Sequence, residues 1–138
     1  PRLREKAAAL GLGGNVSFKG VVGRGEVYGL MKSSKMLVLP SLIEGFGLVV
    51  AEAGACGTPV VVVDNPWNAA VELVDGNGVK VENNPVSLAS AVERLLDDEE
   101  TRYRMGSEGR RKAEAFSWDR AAAGLEKIYA GVVGWRRG

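Results

Sequence analysis

Histidine is absent from this 138-residue chain. With it go the commonest general base near neutral pH and the commonest zinc ligand. Cysteine occurs once, at Cys56, so no disulfide can form within the chain, which fits a reducing, cytoplasmic setting. A nucleophilic role for that thiol has no imidazole to support it, and a small buried apolar role is the expectation. Neither sign of charge is in excess: 18 Lys and Arg against 17 Asp and Glu leave a formal net charge of +1. Such a balance supplies no global field for nucleic acid. No apolar run approaches the roughly 20 residues of a membrane helix. The length suits one domain, and 46% apolar residues suffice for a real core.

What is present is patterned. Leu3, Ala7 and Leu10 share a face of a helix expected over Arg2 to Leu10, with Gly11 as its stop. The chain therefore opens inside an element, as a piece of a longer protein would. Val16-Ser-Phe18 alternates as a short strand, and Glu26 to Ser33 reads as a short helix. Met36 to Leu39 and Val60 to Val63 are continuous apolar runs, as expected for strands covered on both faces. Between them Leu48 to Cys56 reads as a helix, with Gly57 past its end. Asp75-Gly-Asn-Gly78 is a turn before a strand at Val79 to Val81. From Pro85 onward the pattern is helical: Pro85 to about Leu96, Glu99 to Phe116, and Trp118 to about Val132 with Ser117 as cap. Strands alternating with helices, then a helical tail, predict an α/β fold with a parallel sheet.

Chemistry concentrates in Ser41-Leu-Ile-Glu44-Gly-Phe-Gly47-Leu-Val-Val-Ala-Glu52. A helix N-terminus leaves backbone amides unpaired and carries about half a positive charge. Gly47, Leu48 and Val49 therefore offer amides to an anion such as phosphate. Gly45 and Gly47 lack a Cβ, which lets a ligand approach the backbone. A carboxylate accepts two hydrogen bonds at once, so Glu44 and Glu52 suit vicinal diols of a sugar and a ribose. Spacing alone leaves a second reading open, because a glutamate near a helix start complements the dipole in many folds and the full G-x-G-x-x-G fingerprint is missing.

The wider run, Val38-Leu-Pro-Ser41 through Glu44-Gly-Phe-Gly47 and Glu52 to Gly57-Thr-Pro-Val-Val61, resembles the E-x7-E segment of retaining glycosyltransferases of family 4. Asn15-Val-Ser-Phe-Lys-Gly20, Glu72-Leu-Val-Asp-Gly-Asn-Gly78 and Phe116-Ser-Trp118 are similar to further motifs of that family. The resemblance implies a Rossmann-like three-layer domain, the C-terminal half of a GT-B enzyme over residues 1–138, N-terminally truncated, with a terminal helix and tail over 117–138. It implies that Glu44 contacts the donor sugar and serves catalysis. It further implies that Gly45, Phe46, Gly47, Leu48 and Val49 hold the donor diphosphate, that Glu52 binds the ribose, and that Val22 and Gly23 border the base. Arg24 is read as a surface residue. Retention would follow front-face attack, in which the departing phosphate takes the acceptor's proton, with no metal or other cofactor. The donor would be a nucleotide-diphosphate sugar, and the acceptor (a glycan, lipid or small molecule) would be held mainly by an N-terminal domain outside this chain. This chain alone would then be inactive as a transferase. The family's Gly-Arg…Lys-Gly loop, which neutralises the diphosphate, would lie upstream.

Several expectations go with that reading. Asp64-Asn-Pro-Trp67-Asn68 stands where the family often has glycines, so either acceptor or donor preference differs there or Trp67 packs. Without two upstream strands the sheet would expose open edges, predicting self-association or a rearranged sheet in which Val16 to Phe18 pairs directly with a neighbour. The basic stretch Arg102, Arg104, Arg110, Arg111 and Lys112 is diluted by glutamates, favouring a solvated face over contact with lipid headgroups at the cytoplasmic membrane surface. Trp135-Arg-Arg137 is either a disordered tail or one that packs on the absent half. The other functional classes are a sugar-nucleotide epimerase of the same fold, disfavoured by the missing histidine, and a non-catalytic nucleotide-sugar or partner-binding module.

Overall fold

The computed structural model describes residues 2–135. Its centre is a parallel sheet of three strands in the order β1 (Leu37–Leu39), β2 (Val60–Val63), β3 (Gly78–Val81). Four consecutive valines make β2, and all are buried. Alternation sends Val60 and Val62 into a cluster with Met31, Val50, Ala53, Ala70 and Val74. Val61 and Val63 point the other way, onto Val81, Ala91 and Leu95. At about 1.5–3 kcal/mol for each fully buried valine, this one strand anchors both faces of the sheet.

Helices supply the covering layers. On the first face lie α2 (Arg24–Ser33) and α3 (Leu48–Cys56), with a 3-10 turn at Ala69–Leu73. On the other lies α4 (Pro85–Asp97), whose Ala91 and Leu95 are buried. Asn84 caps α4 by accepting from the Ser87 amide, and Pro85 sits in its first turn, where no N–H is needed. Asp98 likewise caps α5 (Glu99–Ala113) through the Thr101 amide, a contact that holds its carboxyl below the ordinary range. This α/β arrangement is the one expected, and α3 and β2 have the expected limits.

Other expectations are corrected. Val16 to Phe18 forms no strand and pairs with no neighbour. A segment this short holds an extended shape only when another strand satisfies its backbone, and no strand lies beside it. Phe18 instead lies under the Arg4 guanidinium, 4.7 Å from ring centroid to Cζ. That contact links it to α1 (Arg2–Ala9), whose apolar face stays open: Leu3 and Leu10 are exposed. Strand β1 is half-buried rather than covered on all sides, because it forms an edge of the sheet. Helix α2 starts at Arg24, and α5 ends at Ala113 in a 3-10 turn over Glu114–Phe116. Helix α6 (Trp118–Trp135) exposes Trp118, Leu125, Ile128, Tyr129 and Val132. Arg136 and Arg137 lie outside the described residues.

The basic stretch on α5 is largely engaged. Arg102 donates to the carbonyls of Leu95 and Leu96, closing the end of α4. Arg111 pairs with Glu108, and Lys112 with Asp75 at 2.5 Å. The Lys112 ammonium holds the Asp75 carboxyl below its ordinary value.

Helix α5 meets α3 through glycine on both sides. A Cβ on Gly109 would lie 2.9 Å from the Gly54 Cα, and one on Gly106 would run into the Gly57 carbonyl. In an open helix Gly→Ala is favourable by about 1 kcal/mol. Here the sign should reverse: Gly106→Ala and Gly109→Ala are each expected to lower the melting temperature. Gly124→Ala, at a position of α6 with open space around it, is expected to raise it or leave it unchanged.

Candidate functional site

Two loops leave the carboxyl ends of the neighbouring strands β1 and β2, the edge where open α/β sheets bind ligands. They are joined backbone to backbone. The Glu44 amide donates to the Trp67 carbonyl at 3.0 Å, and the Ala69 amide donates to the Glu44 carbonyl at 3.0 Å. Glu44 is thereby fixed by both of its main-chain groups in a single parallel bridge to Asn68.

The Asn68 side chain reinforces that join. It is 3% exposed. Its Nδ2 donates to the Ser41 carbonyl at 3.0 Å and to the Val63 carbonyl at 2.9 Å, while its Oδ1 accepts from the Ala70 amide at 3.1 Å. One amide group therefore ties the loop after β1, the end of β2 and the start of the 3-10 turn. Asparagine alone among the side chains of its size offers two donors and an acceptor in this arrangement.

Ala70, placed by that turn, sits against Gly47. The Gly47 backbone is left-handed, with φ 81° and ψ 40°, and an added Cβ would lie 2.7 Å from the Ala70 Cα. Glycine is required twice over, for conformation and for space. Helix α3 begins immediately after it, so the amides of Leu48 and Val49 have no partner within the helix. Gly45 has open space where a side chain would be. Phe46 and Leu48 are largely exposed, and Val49 is half-buried.

Glu52 lies one turn into α3 and is half-buried. Its Oε1 accepts from the Tyr28 hydroxyl at 3.2 Å. One flank of Glu52 is a depression lined by Tyr28, Lys32, Ala55 and Cys56. The other is lined by Leu48, Ala51, Ala55, Ala113 and Phe116. Glu44 and Glu52 thus stand before and within the same helix start, with the glycine turn between them. Val22 is half-buried and Gly23 is the N-cap residue of α2, where it accepts from the Val27 amide. Arg24 opens α2 and is exposed, as expected of a surface residue. Trp67 is 75% exposed, so the option in which it packs is not what is found. Cys56 is half-buried and directs its thiol at the Tyr28 carbonyl, 3.9 Å away.

The sequence alone gives Ala70 and Tyr28 no role, and singles out Asn68 only as part of the Asp64-Asn-Pro-Trp67-Asn68 run. The signal for Asn68 was present in kind: an asparagine before Ala-Ala-Val is a common helix cap. Nothing local marked its two tertiary acceptors.

Residues 1–112 match the family model for glycosyl transferases group 1. The chain belongs to that family. Among curated relatives, the D-inositol 3-phosphate glycosyltransferase of Streptomyces bingchenggensis is 37% identical over 139 aligned residues, covering 99% of this chain and 30% of the relative. The same-named protein of Xylanimonas cellulosilytica is 40% identical over 100 residues, 72% of this chain and 24% of the relative. The chain thus spans 24% to 30% of the length of these relatives. Among solved structures, sucrose-phosphate synthase from Thermosynechococcus elongatus superposes with a TM-score of 0.86 at 28% identity, over 96% of this chain and 34% of its own. The Anabaena protein HepE, solved in complex with UDP and with UDP and glucose, gives a TM-score of 0.77 at 26% identity, over 96% of this chain. These neighbours identify the fold as the Rossmann-like half of a GT-B glycosyltransferase. Among the described residues, no helix is long and apolar enough to cross a membrane.

The Asn68 brace has a measurable consequence. Asn68→Asp keeps an acceptor for Ala70 but turns a carboxylate toward two carbonyls that have lost their donors. Urea unfolding is expected to show a loss of about 3 kcal/mol or more. A variant as stable as the parent would remove the brace from this description.

Proposed function

We propose that this chain is the donor-binding part of a retaining glycosyltransferase that moves a sugar from a nucleotide-diphosphate sugar to an acceptor hydroxyl. The observation that carries the reading is the start of α3. A left-handed glycine opens a helix at the carboxyl ends of two parallel strands, with one glutamate held before it and another one turn inside. Family membership and the UDP complexes of HepE support it.

In this reading the amides of Gly47, Leu48 and Val49, with Gly45 and Phe46 beside them, face the diphosphate. The helix dipole adds its partial positive charge there. Glu44 accepts from donor sugar hydroxyls, Glu52 accepts from the ribose diol, and Val22 and Gly23 border the base. The anomeric C–O bond to phosphate breaks, and the leaving nucleoside diphosphate keeps the electron pair. The acceptor oxygen bonds to the anomeric carbon on the same face and gives its proton to the departing phosphate. Catalysis then rests on stabilising that phosphate, which a helix start and further cations perform without an imidazole. Those cations and most of the acceptor site belong to regions beyond this chain, so the chain alone is expected to bind a donor without turning it over. The epimerase and non-catalytic readings have no observation in their favour.

Titration of UDP-sugars and GDP-sugars tests the proposal. Binding of one series is expected, weakened roughly tenfold or more by Glu52→Ala, the scale of a lost hydrogen bond to a charged group. Affinity that ignores the substitution would count against the assignment of Glu52. The outer edge of β1 belongs to the same picture as a surface for self-association: sedimentation at rising concentration is expected to show dimers, and a monomer throughout would oppose that part.

A further inference from the structure

We propose that Tyr28 is a positioning residue for the Glu52 carboxylate, an inference that rests on the donor-site reading above and deepens it. A glutamate carboxyl turns about its last torsion with little preference. Free to turn, it presents two acceptor oxygens in many orientations and loses that freedom when a diol binds. The Tyr28 hydroxyl removes this freedom beforehand. It donates to Oε1 at 3.2 Å, occupying one of the carboxylate's roughly four acceptor sites. Oε2 and the second lone pair of Oε1 remain for a ligand. Among the described residues, no other side chain donates to Glu52.

Tyr28 is itself well anchored. It lies in the middle of α2, which packs on α3. The Thr58 hydroxyl just past α3 donates to the Met31 carbonyl at 2.7 Å, where the Ser34 amide also ends. The Cys56 thiol faces the Tyr28 carbonyl. Two helices held together at their ends thus set the distance between phenol and carboxylate. The far flank of Glu52, lined by Leu48, Ala51, Ala55, Ala113 and Phe116, is apolar apart from Glu52 itself and offers no competing donor. Lys32, one turn beyond Tyr28 on the same helix, borders the depression without bonding to the carboxylate.

The signature of such a role is selectivity for the diol. Calorimetric titrations compare UDP, GDP and ADP, each against its 2′,3′-dideoxy counterpart, on this chain, on Tyr28→Phe and on Glu52→Gln. The parent is expected to prefer the ribonucleotide of one base. Tyr28→Phe should weaken that ribonucleotide several-fold and leave its dideoxy counterpart unchanged, with the melting temperature kept. Glu52→Gln should erode the same preference further. If Glu52→Gln behaves so and Tyr28→Phe binds like the parent, the positioning role is wrong and the donor site stands. If Tyr28→Phe weakens both members of the pair equally, its part is merely structural. If the parent binds no nucleotide, or shows no preference for the diol, the donor-site reading fails and the role of Tyr28 falls with it.

Discussion

One buried amide holds the ligand-facing edge of this domain together. Asn68 satisfies the Ser41 and Val63 carbonyls and the Ala70 amide at once. Without Asn68 these three bonds are lost, and a buried polar group left unpaired costs on the order of 1–3 kcal/mol. Everything at the α3 start descends from that arrangement. Ser41 fixes the loop that carries Glu44. Ala70 forms the wall against which only a glycine fits at position 47. That glycine in turn sets the direction in which α3 leaves the sheet. Charge plays little part in this scaffold, since the ion pairs lie on the α5 surface, where exposed pairs contribute little.

The division of labour between strands is uneven. Strand β2 is buried throughout and supplies both core clusters. Strand β1 is an edge, half-buried, and shares only one neighbour. The site hangs from the end of β1 but borrows its rigidity from the loop after β2. This explains why a three-residue strand suffices: its loop is held by two main-chain hydrogen bonds to residues 67–69 as well as by the sheet. A group that must face a charged ligand benefits from such fixation, because dipoles already aligned need not reorganise when the ligand arrives.

Local signals made much of this legible. The valine run announces β2 because a strand covered on both faces needs no polar side. Gly57 announces the end of α3, where it adopts φ 75°. Glu44-Gly-Phe-Gly47 announces a turn into a helix. What was hidden is what depends on partners far along the chain. Val16 to Phe18 has the composition of a strand, but pairing needs a neighbour, and among the described residues no strand pairs with it. The Asn68 acceptor at Ser41 lies 27 positions away, and Tyr28 lies 24 positions from Glu52. Side chains bonded across such intervals leave no periodicity behind. The glycines of α5 are hidden for the same reason: in a polar helix they look like weak points, and only the backbone of α3 against them gives them a purpose.

That glycine contact has a further consequence for how the domain can move. Packed helices with side chains between them glide by repacking those side chains a little at a time. Gly54 against Gly109, and Gly57 against Gly106, meet backbone to backbone, with the Arg110 side chain lying beside them over Gly57. Displacing α5 along α3 by a turn, about 5.4 Å, would bring Arg102, Tyr103 or Ala113 to where glycine now stands. The close fit therefore resists sliding of α5 on α3, since any shift sets a side chain against backbone. A pull on α5 would thus be passed to α3 and to the amides at its start.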